Sequence, residues 1–269
     1  SIIAHILRTT NQDGVCFIGG IASNYNSNFL LGNGSLSVME ADEYDRSFLK
    51  LSPHTIVLSS MDADHLDIYH DKETLRSSFY DFTELLKNKK KLIVEEGLEN
   101  LFDNNLTYGF KTQSDLQILN IEILNSCYQF DIKYRNKIHK NFAFKMPGNY
   151  NLLNAAGAVL SCLENEIKMA DIRSALHSYM GVKRRFDIHF ENSDFVYIDD
   201  YAHHPTEISA LLKAVKEFYP NKKVIGVFQP HLYSRTRDFL DDFSSSLSSL
   251  DELFLLPIYP AREKPINGI

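Results

Sequence analysis

The 269-residue chain contains no tryptophan and only three cysteines, and it has no long apolar run. Cys16, Cys127 and Cys162 are far apart, lack the spacing of metal ligands and have apolar neighbours. They are therefore expected to be buried free thiols in a reducing cytosol. No stretch approaches the roughly 18 apolar residues of a membrane-spanning helix. No segment has the pattern of a secretory signal peptide, so a cytoplasmic location is expected.

Positive charge is also scarce. Lysine and arginine number 28 against 35 acidic residues, which leaves a net charge of −7. The densest basic run is Lys89–Lys91, so nucleic-acid binding has little electrostatic support. The hydrophobic fraction of 44% and the charged fraction of 23% are typical of a soluble globular protein. The length allows one large domain or two ordinary ones.

Strand and helix patterns alternate in the first part of the chain. Strands are predicted at residues 15–18, 36–40, 55–59 and 91–94, with helices at residues 1–9 and 72–88. This alternation indicates an α/β fold with a central, mostly parallel sheet. Apolar patterning over residues 116–146 predicts two or three appended antiparallel strands.

The alternation restarts after Gly181, which places a domain boundary between residues 1–181 and residues 182–269. Residues 151–163 before it have the small apolar side chains of a buried helix. Only about three strands follow the boundary, few for a complete doubly wound domain. The second domain is therefore expected to be a Rossmann-like domain that is incomplete at its C-terminus.

Two acidic clusters follow predicted strands of the first domain. Residues 40–45 carry four carboxylates, and residues 62–67 place His65 among three acids. Carboxylates this close repel one another unless a cation or water screens them. The first cluster is either a solvated acidic loop or a magnesium site, because hard cations take carboxylate oxygens. The second is either an acidic turn with a surface histidine or a site in which His65 is a metal ligand or an orienting residue. The two strands are expected to be neighbours in one sheet, which makes two merely solvated loops the less favoured interpretation.

Two polar sets flank the domain boundary. Asn151 and Asn154 share a face in the first turn of a predicted helix. Their amides could hydrogen-bond a purine edge, or Asn149 or Asn151 could simply be the N-cap. Arg184 and Arg185 follow the boundary. They suit a phosphate clamp by their bidentate geometry, or they form a solvated basic linker.

The densest titratable set lies at residues 199–207, directly after an apolar strand, and Pro205 opens a helix there. A second apolar strand runs into residues 229–235, which include His231 and Arg235. In an open α/β sheet, ligands bind at the C-terminal ends of the strands. One alternative is an exposed first helical turn, where proline is favoured. Another is a zinc site, which is weaker because the histidines have no thiolate or HExxH context.

Taken together, these segments resemble the ATP-dependent Mur ligases of peptidoglycan synthesis. Any one segment is weakly specific, but six in the family's order over nearly the whole chain are strongly specific. The six are residues 40–45, 62–67, 147–154, 184–186, 199–207 and 228–237.

The resemblance implies a UDP-binding domain, a central ATPase domain and a Rossmann-like C-terminal domain. The family's phosphate loop, of the type Gly-x-x-Gly-Lys-Thr, is expected just before the first helix, and no such motif occurs in these 269 residues. The chain is therefore expected to be a fragment. Residues 1–181 would be a central ATP-binding domain without its phosphate loop, and residues 182–269 a truncated C-terminal domain. We expect the fragment alone to be inactive.

The implied reaction joins L-alanine to UDP-N-acetylmuramate. ATP phosphorylates the muramate carboxylate, the alanine amine attacks the acyl phosphate, and phosphate leaves, so catalysis needs charge neutralisation and positioning. One alternative is a recycling ligase that attaches a preformed murein tripeptide and shares the Asp-Asp-x-x-His-His-Pro-Thr pattern. Another is a non-catalytic nucleotide-binding module. The bulky polar residues at positions 229–236 favour the alanine reaction.

The resemblance also implies roles for matched residues of the first domain. Glu40 and His65 would hold a second Mg²⁺ between the γ-phosphate and the substrate carboxylate. Asn151 and Asn154 would contact the adenine. Tyr150 lies where many relatives have histidine, so a histidine contact is not implied there.

In the second domain, Arg185 and one acid of the pair Asp199 and Asp200 would reach the nucleotide across the domain cleft. Arg235 would pair with the alanine carboxylate, for which a guanidinium is well suited. The implied amino-acid pocket is lined by Tyr201, His203, His231 and Arg235. Ala202 replaces a common glycine, which matters only if that position needs a positive φ.

Overall fold

The computed structural model describes residues 1–61, 69 and 71–268. The chain forms two compact units, Ser1–Gly181 (unit 1) and Val182–Ile269 (unit 2). No described helix is long and apolar enough to cross a membrane.

Unit 1 contains four α-helices and nine strands among its described residues. The helices are α1 (Ile2–Thr9), α2 (Lys72–Glu84), α3 (Asn149–Glu164) and α4 (Met169–Ser178). The strands are β1 (Val15–Ala22), β2 (Ser27–Leu30), β3 (Ser37–Met39), β4 (Ile56–Leu58), β5 (Leu92–Glu95), β6 (Leu106–Gly109), β7 (Leu116–Ile123), β8 (Tyr128–Tyr134) and β9 (Lys137–Phe144). Short 3₁₀ helices cover Tyr44–Lys50, Lys89–Lys91 and Glu99–Leu101.

The strands of unit 1 form two sheets. A six-stranded sheet has the order β4-β5-β6-β7-β8-β9, parallel from β4 to β7 and antiparallel from β7 to β9. A three-stranded sheet has the order β2-β1-β3, with β1 antiparallel to β2 and parallel to β3. The predicted α/β class and the appended antiparallel strands are confirmed.

The expectation that the two acidic clusters follow neighbouring strands of one sheet is wrong. Strand β3 hydrogen-bonds to β1 and strand β4 to β5, so the clusters follow strands of different sheets in the described chain. Sequence reasoning also missed β2 and β6. Both are four residues long and interrupted by polar residues or glycine, so they lack a sustained apolar pattern.

The core of unit 1 follows the predicted helical periodicity. Leu75 and Phe82 of α2 are buried, as is Leu86 just beyond it. Phe82 and Leu86 join a cluster with Phe48 of the first acidic loop's 3₁₀ helix and with residues of β4 and β5. Helix α3 is buried along most of its length and contacts α1 and strands β4 to β7. This confirms the predicted buried helix.

The three cysteines are free and buried, as predicted. Burial raises the pKa of the Cys16 and Cys127 thiols, and it raises the pKa of Cys162 to about 12. None of them has the lowered pKa that makes a thiol reactive at neutral pH, so the thiols contribute to packing.

Unit 2 contains four strands and three helices among its described residues. They are β10 (Asp187–Glu191), β11 (Val196–Asp199), α5 (Pro205–Phe218), β12 (Ile225–Phe228), α6 (Tyr233–Asp238), α7 (Leu240–Leu247) and β13 (Glu252–Leu255). Strand β10 pairs with β11 in antiparallel fashion, and β12 pairs with β13 in parallel. Ile208 and Leu212 of α5 pack with Phe243 of α7 and with Phe228 at the end of β12.

The two strands that precede the polar segments of unit 2 lie in separate two-stranded ladders of the described chain. A side-chain contact connects their ends instead. The ring of His204, after β11, lies edge-on to Phe239, at the end of α6, with 4.8 Å between the ring centroids. The polar segments after β11 and β12 are therefore brought together through helix packing.

Candidate functional site

In unit 1, the Glu40 carboxylate is hydrogen-bonded to the backbone of strand β1. The backbone N–H of Gly19 donates to Glu40 Oε2 at 2.8 Å, and the N–H of Glu40 donates to the carbonyl of Phe17 at 3.0 Å. A Cβ atom on Gly19 would lie 2.2 Å from Glu40 Oε1. Glu40 is nevertheless solvent-exposed. The carboxylate is thus oriented by a hydrogen bond and also accessible to solvent.

Tyr69 connects this acidic loop to the segment that follows the second acidic cluster. Its side chain is fully buried, and its hydroxyl donates to the backbone carbonyl of Glu43. The guanidinium of Arg46 lies 5.4 Å from the centre of the Tyr69 ring. Sequence reasoning missed Tyr69. His65 and the rest of residues 62–67 lie outside the described residues.

The acidic loop fits a magnesium ion that is shared with a phosphate ligand. Across residues 1–61, 69 and 71–268, no three or more histidine, cysteine or acidic side chains gather as a metal cage. Mg²⁺ keeps several waters and commonly uses one or two protein carboxylates together with substrate phosphates. One ordered, exposed carboxylate such as Glu40 matches that donor set.

Helix α3 begins one residue earlier than an Asn149 N-cap would require and three residues earlier than an Asn151 N-cap would require. Gly148 is the N-cap, with φ of +92°, a conformation that favours glycine. The interpretation of Asn149 or Asn151 as N-cap is therefore wrong, because both lie inside the helix. The Asn151 amide donates to the Pro147 carbonyl at 2.7 Å. The Asn154 side chain is exposed, and its amide has no hydrogen-bond partner among the described residues, so that amide is available to a ligand.

In unit 2, Asp200 accepts hydrogen bonds from the backbone beside the turn that carries Arg184 and Arg185. Asp200 Oδ2 accepts from the N–H of Phe186 at 2.7 Å, and Oδ1 accepts from the N–H of Ala202 at 2.8 Å. Arg184 and Phe186 both have positive φ, 60° and 48°, a conformation that side chains other than glycine adopt at a cost. Burial raises the pKa of Asp200, and its two backbone hydrogen bonds oppose that rise.

The two neighbouring acids consequently differ in what they can do. Asp199 is partly exposed, and its carboxylate lies 3.8 Å from His189 Nε2. Arg185 is exposed, and its guanidinium forms no ion pair within the described residues. Arg185 thus offers an exposed charge to a ligand and Asp199 a partly exposed carboxylate beside His189, whereas Asp200 sets the shape of the turn. Ala202 is not among the described residues with positive φ, so the absence of glycine there causes no strain.

Exchanging the two acids for asparagine separates these roles. Asp200→Asn is expected to lower the free energy of unfolding by about 1–3 kcal/mol, because an amide donor would then face a buried backbone N–H. Asp199→Asn is expected to change it by less than about 0.5 kcal/mol. Urea denaturation of the 269-residue chain measures both. Equal effects of the two variants would contradict the assignment.

Residues 203–207 form the capped start of α5. Glu207 Oε2 accepts from the N–H of His203 at 2.8 Å and from the N–H of His204 at 3.1 Å, while His204 Nδ1 accepts from the N–H of Thr206 at 3.4 Å. His204 is therefore the N-cap of α5, and Pro205 is the first residue of the helix. Sequence reasoning missed the capping role of Glu207, although a glutamate three residues after a cap is a readable signal.

His203 is oriented by the same cap. Its Nδ1 lies 2.9 Å from the carbonyl oxygen of Tyr201 and 3.3 Å from Glu207 Oε2. Both neighbours are acceptors, so the tautomer with the proton on Nδ1 satisfies them and leaves Nε2 without a partner among the described residues. The ring of exposed Tyr201 lies edge-on to that of His203, with 5.2 Å between centroids.

Removal of the Glu207 side chain tests this arrangement. Glu207→Ala is expected to lower the free energy of unfolding by about 1 kcal/mol, because two backbone donors at the start of α5 lose their acceptor. Glu207→Gln keeps an acceptor at that position and is expected to retain most of the stability. Urea denaturation with circular dichroism detection distinguishes the two, and a glutamine variant as unstable as the alanine variant would contradict the cap.

His231 and Arg235 lie at the other polar segment of unit 2. The His231 ring stacks on Tyr259, with 5.5 Å between centroids and 16° between planes. Arg235, in α6, is partly buried, and its guanidinium has no hydrogen bond or ion pair in the part of the chain that the structure describes. Arg237, two residues later, is bound to Asp238 at 2.7 Å. Arg235 is thus the arginine of α6 whose charge is free for an anionic ligand.

Residues after β13 support this segment, which sequence reasoning did not anticipate. Leu232 N–H donates to the Tyr259 carbonyl at 3.0 Å, and Tyr259 N–H donates to the Pro230 carbonyl at 2.8 Å. Glu263 accepts from the backbone N–H of Ser234 at 3.0 Å and from its hydroxyl. These hydrogen bonds lower the pKa of Glu263. No periodic pattern marks residues 257–263, so only the fold shows their role.

Two protein-family models match the chain, one in each unit. The model of the Mur ligase middle domain matches residues 2–162, and that of the Mur ligase glutamate ligase domain matches residues 184–267.

Individual relatives match over the full length of the chain. It is 50% identical over all 269 residues to a UDP-N-acetylmuramate–L-alanine ligase of Christiangramia forsetii, and it spans 59% of that protein. A solved UDP-N-acetylmuramate-alanine ligase from Thermotoga maritima aligns with a TM-score of 0.80 and 27% identity, covering 96% of this chain and 58% of that one. A murein peptide ligase from Psychrobacter arcticus aligns with a TM-score of 0.63 and 18% identity, covering 96% and 66%.

Proposed function

Because the chain belongs to the Mur ligase family, we propose that it is part of an ATP-dependent, ADP-forming ligase that joins L-alanine to UDP-N-acetylmuramate. The observation that carries this proposal is its similarity, over its full length, to relatives that bear that name. The reaction would supply a precursor of peptidoglycan. The tripeptide-recycling alternative is less favoured, since the murein peptide ligase is the more distant structural neighbour.

The proposed reaction has two steps. The muramate carboxylate attacks the γ-phosphorus of ATP, which forms an acyl phosphate and releases ADP. The alanine amine then attacks the acyl carbon, and the tetrahedral intermediate collapses to an amide with loss of inorganic phosphate. Neither step needs a covalent bond to the protein, so positioning and charge neutralisation account for catalysis.

Unit 1 would hold the nucleotide and the cation. Asn154, with its free amide, and Asn151, through its carbonyl oxygen, would recognise the adenine edge. Glu40 and His65 would bind Mg²⁺, which supplies charge neutralisation on the phosphate oxygens when bound. The oriented, exposed carboxylate of Glu40 supports this role.

Unit 2 would hold the amino acid and contribute charge to the nucleotide. Arg235 would pair with the alanine carboxylate, and the oriented rings of Tyr201, His203 and His231 would shape the pocket around the amine. Arg185 and Asp199 would contact the nucleotide. Asp200, whose oxygens both accept from backbone N–H groups, would act by holding the turn that carries Arg185.

A chimeric ligase tests this function without assumptions about flanking sequence. In it, the 269 residues replace the matching part of the Christiangramia forsetii ligase, and it is expressed in bacteria depleted of their own L-alanine-adding ligase. Growth is the expected result. The control is the same chimera with Arg235→Ala and Glu40→Gln, which should not support growth. Failure of the chimera to support growth, with the intact relative doing so, would contradict the proposal.

A further inference from the structure

We propose that Gly19 is a positioning residue for the Glu40 carboxylate. Gly19 lies on β1 and Glu40 directly after β3, in a sheet where Phe17 is paired with Met39. They are 21 positions apart in the sequence, so their contact depends on the parallel pairing of β1 with β3. The consequence for a divalent cation rests on the proposed function of Glu40.

Two features of Gly19 act on the carboxylate together. Its N–H donates to Glu40 Oε2 at 2.8 Å, a hydrogen bond to a charged acceptor and hence stronger than a neutral one. Its bare Cα gives the carboxylate room, since a Cβ would lie 2.2 Å from Oε1, 2.6 Å from Cδ and 3.0 Å from Oε2. Carbon and oxygen atoms do not approach so closely, so alanine at this position would push the carboxylate away.

The carboxylate is thereby ordered before any ligand arrives. An exposed glutamate otherwise samples several rotamers, and a ligand that fixes it loses that freedom. With Oε2 held by the Gly19 N–H, a cation would meet a carboxylate already oriented on the strand. Partners that orient a metal ligand typically change metal affinity by about 10–100-fold when removed.

The first arm of the test needs no cation. In the ¹H–¹⁵N spectrum of the 269-residue chain, Glu40→Gln is expected to move the Gly19 amide upfield more than any other amide of β1. Asp45→Asn is the matched control, because it removes the same charge from the same exposed loop. Equal movement of the Gly19 amide in the two variants would overturn the proposal.

The second arm measures Mn²⁺ affinity by electron paramagnetic resonance on the chimeric ligase in the presence of ATP, because the cation at Glu40 is expected to be shared with a phosphate. Gly19→Ala is expected to weaken Mn²⁺ binding about tenfold and to have no further effect when Glu40→Gln is already present. Ile21→Ala, on an exposed side chain of the same strand, should leave the affinity unchanged. An equal loss from Gly19→Ala with and without Glu40 would overturn the proposal.

The two arms separate this inference from the proposed function. If Glu40→Gln leaves Mn²⁺ affinity unchanged while the Gly19 amide moves as expected, the cation role of Glu40 is wrong and its positioning by Gly19 is supported. If Glu40→Gln weakens Mn²⁺ binding and Gly19→Ala does not, the cation role is supported and the positioning by Gly19 is wrong.

Discussion

Replacing Arg235 with alanine is expected to raise the KM for L-alanine about 100-fold in the chimeric ligase, because the amino-acid carboxylate would lose a charge-assisted partner. The reason lies in the surroundings of Arg235. Its guanidinium has no hydrogen-bond or ion-pair partner in the described residues, although the side chain is partly buried. A partly exposed guanidinium without an internal partner remains available to an anionic ligand such as a carboxylate.

Arg237 provides the control on the same helix. Its guanidinium is already bound to Asp238, so Arg237→Ala is expected to change the KM for L-alanine less than about threefold, in line with a surface pair. The KM for ATP should stay nearly constant in both variants. Similar changes in the KM for L-alanine in the two variants would contradict the role of Arg235.

The isolated 269-residue chain is expected to hydrolyse ATP at least about 1,000-fold more slowly than the chimeric ligase, because phosphoryl transfer depends on groups that stabilise charge on the phosphates. No Gly-x-x-Gly-Lys-Thr motif occurs in these residues, and such a loop cradles the phosphates with its backbone N–H groups and lysine. Phosphate release with both substrates present measures the difference. Calorimetry is expected to detect no micromolar binding of ATP to the chain, and micromolar binding would contradict this expectation.

The elements of this fold that the sequence predicts well are those whose pattern is local. Helix α2 repeats apolar residues at helical spacing, and its buried face follows that spacing. The helix ends at Glu84, earlier than the predicted residue 88, because Asn88 caps the 3₁₀ helix Lys89–Lys91 that follows. Strand β10 was not predicted, since its sequence, Asp-Ile-His-Phe-Glu, alternates in a region that reads as a polar linker.

In the candidate site, too, local features can be predicted from the sequence and contacts between distant segments cannot. The capping role of Glu207 is readable from its spacing to His204, but histidine is an uncommon cap, so the signal is easily missed. The difference between Asp199 and Asp200 is not readable, because both acids lie where β11 ends and only the tertiary fold decides which of them faces the turn. Gly19 and Tyr69 are further examples, since their contacts with Glu40 and Glu43 depend on how distant segments pack.

The most direct measurement of the proposed function is phosphate release by the chimeric ligase with ATP, Mg²⁺ and UDP-N-acetylmuramate, comparing L-alanine with a preformed murein tripeptide as the amine. The free guanidinium of Arg235 within the segment 229–236 favours a small amino acid whose carboxylate lies next to its amine. We therefore predict release that depends on L-alanine, with an amide product identified by mass spectrometry. Release with the tripeptide and none with L-alanine would contradict the proposed function.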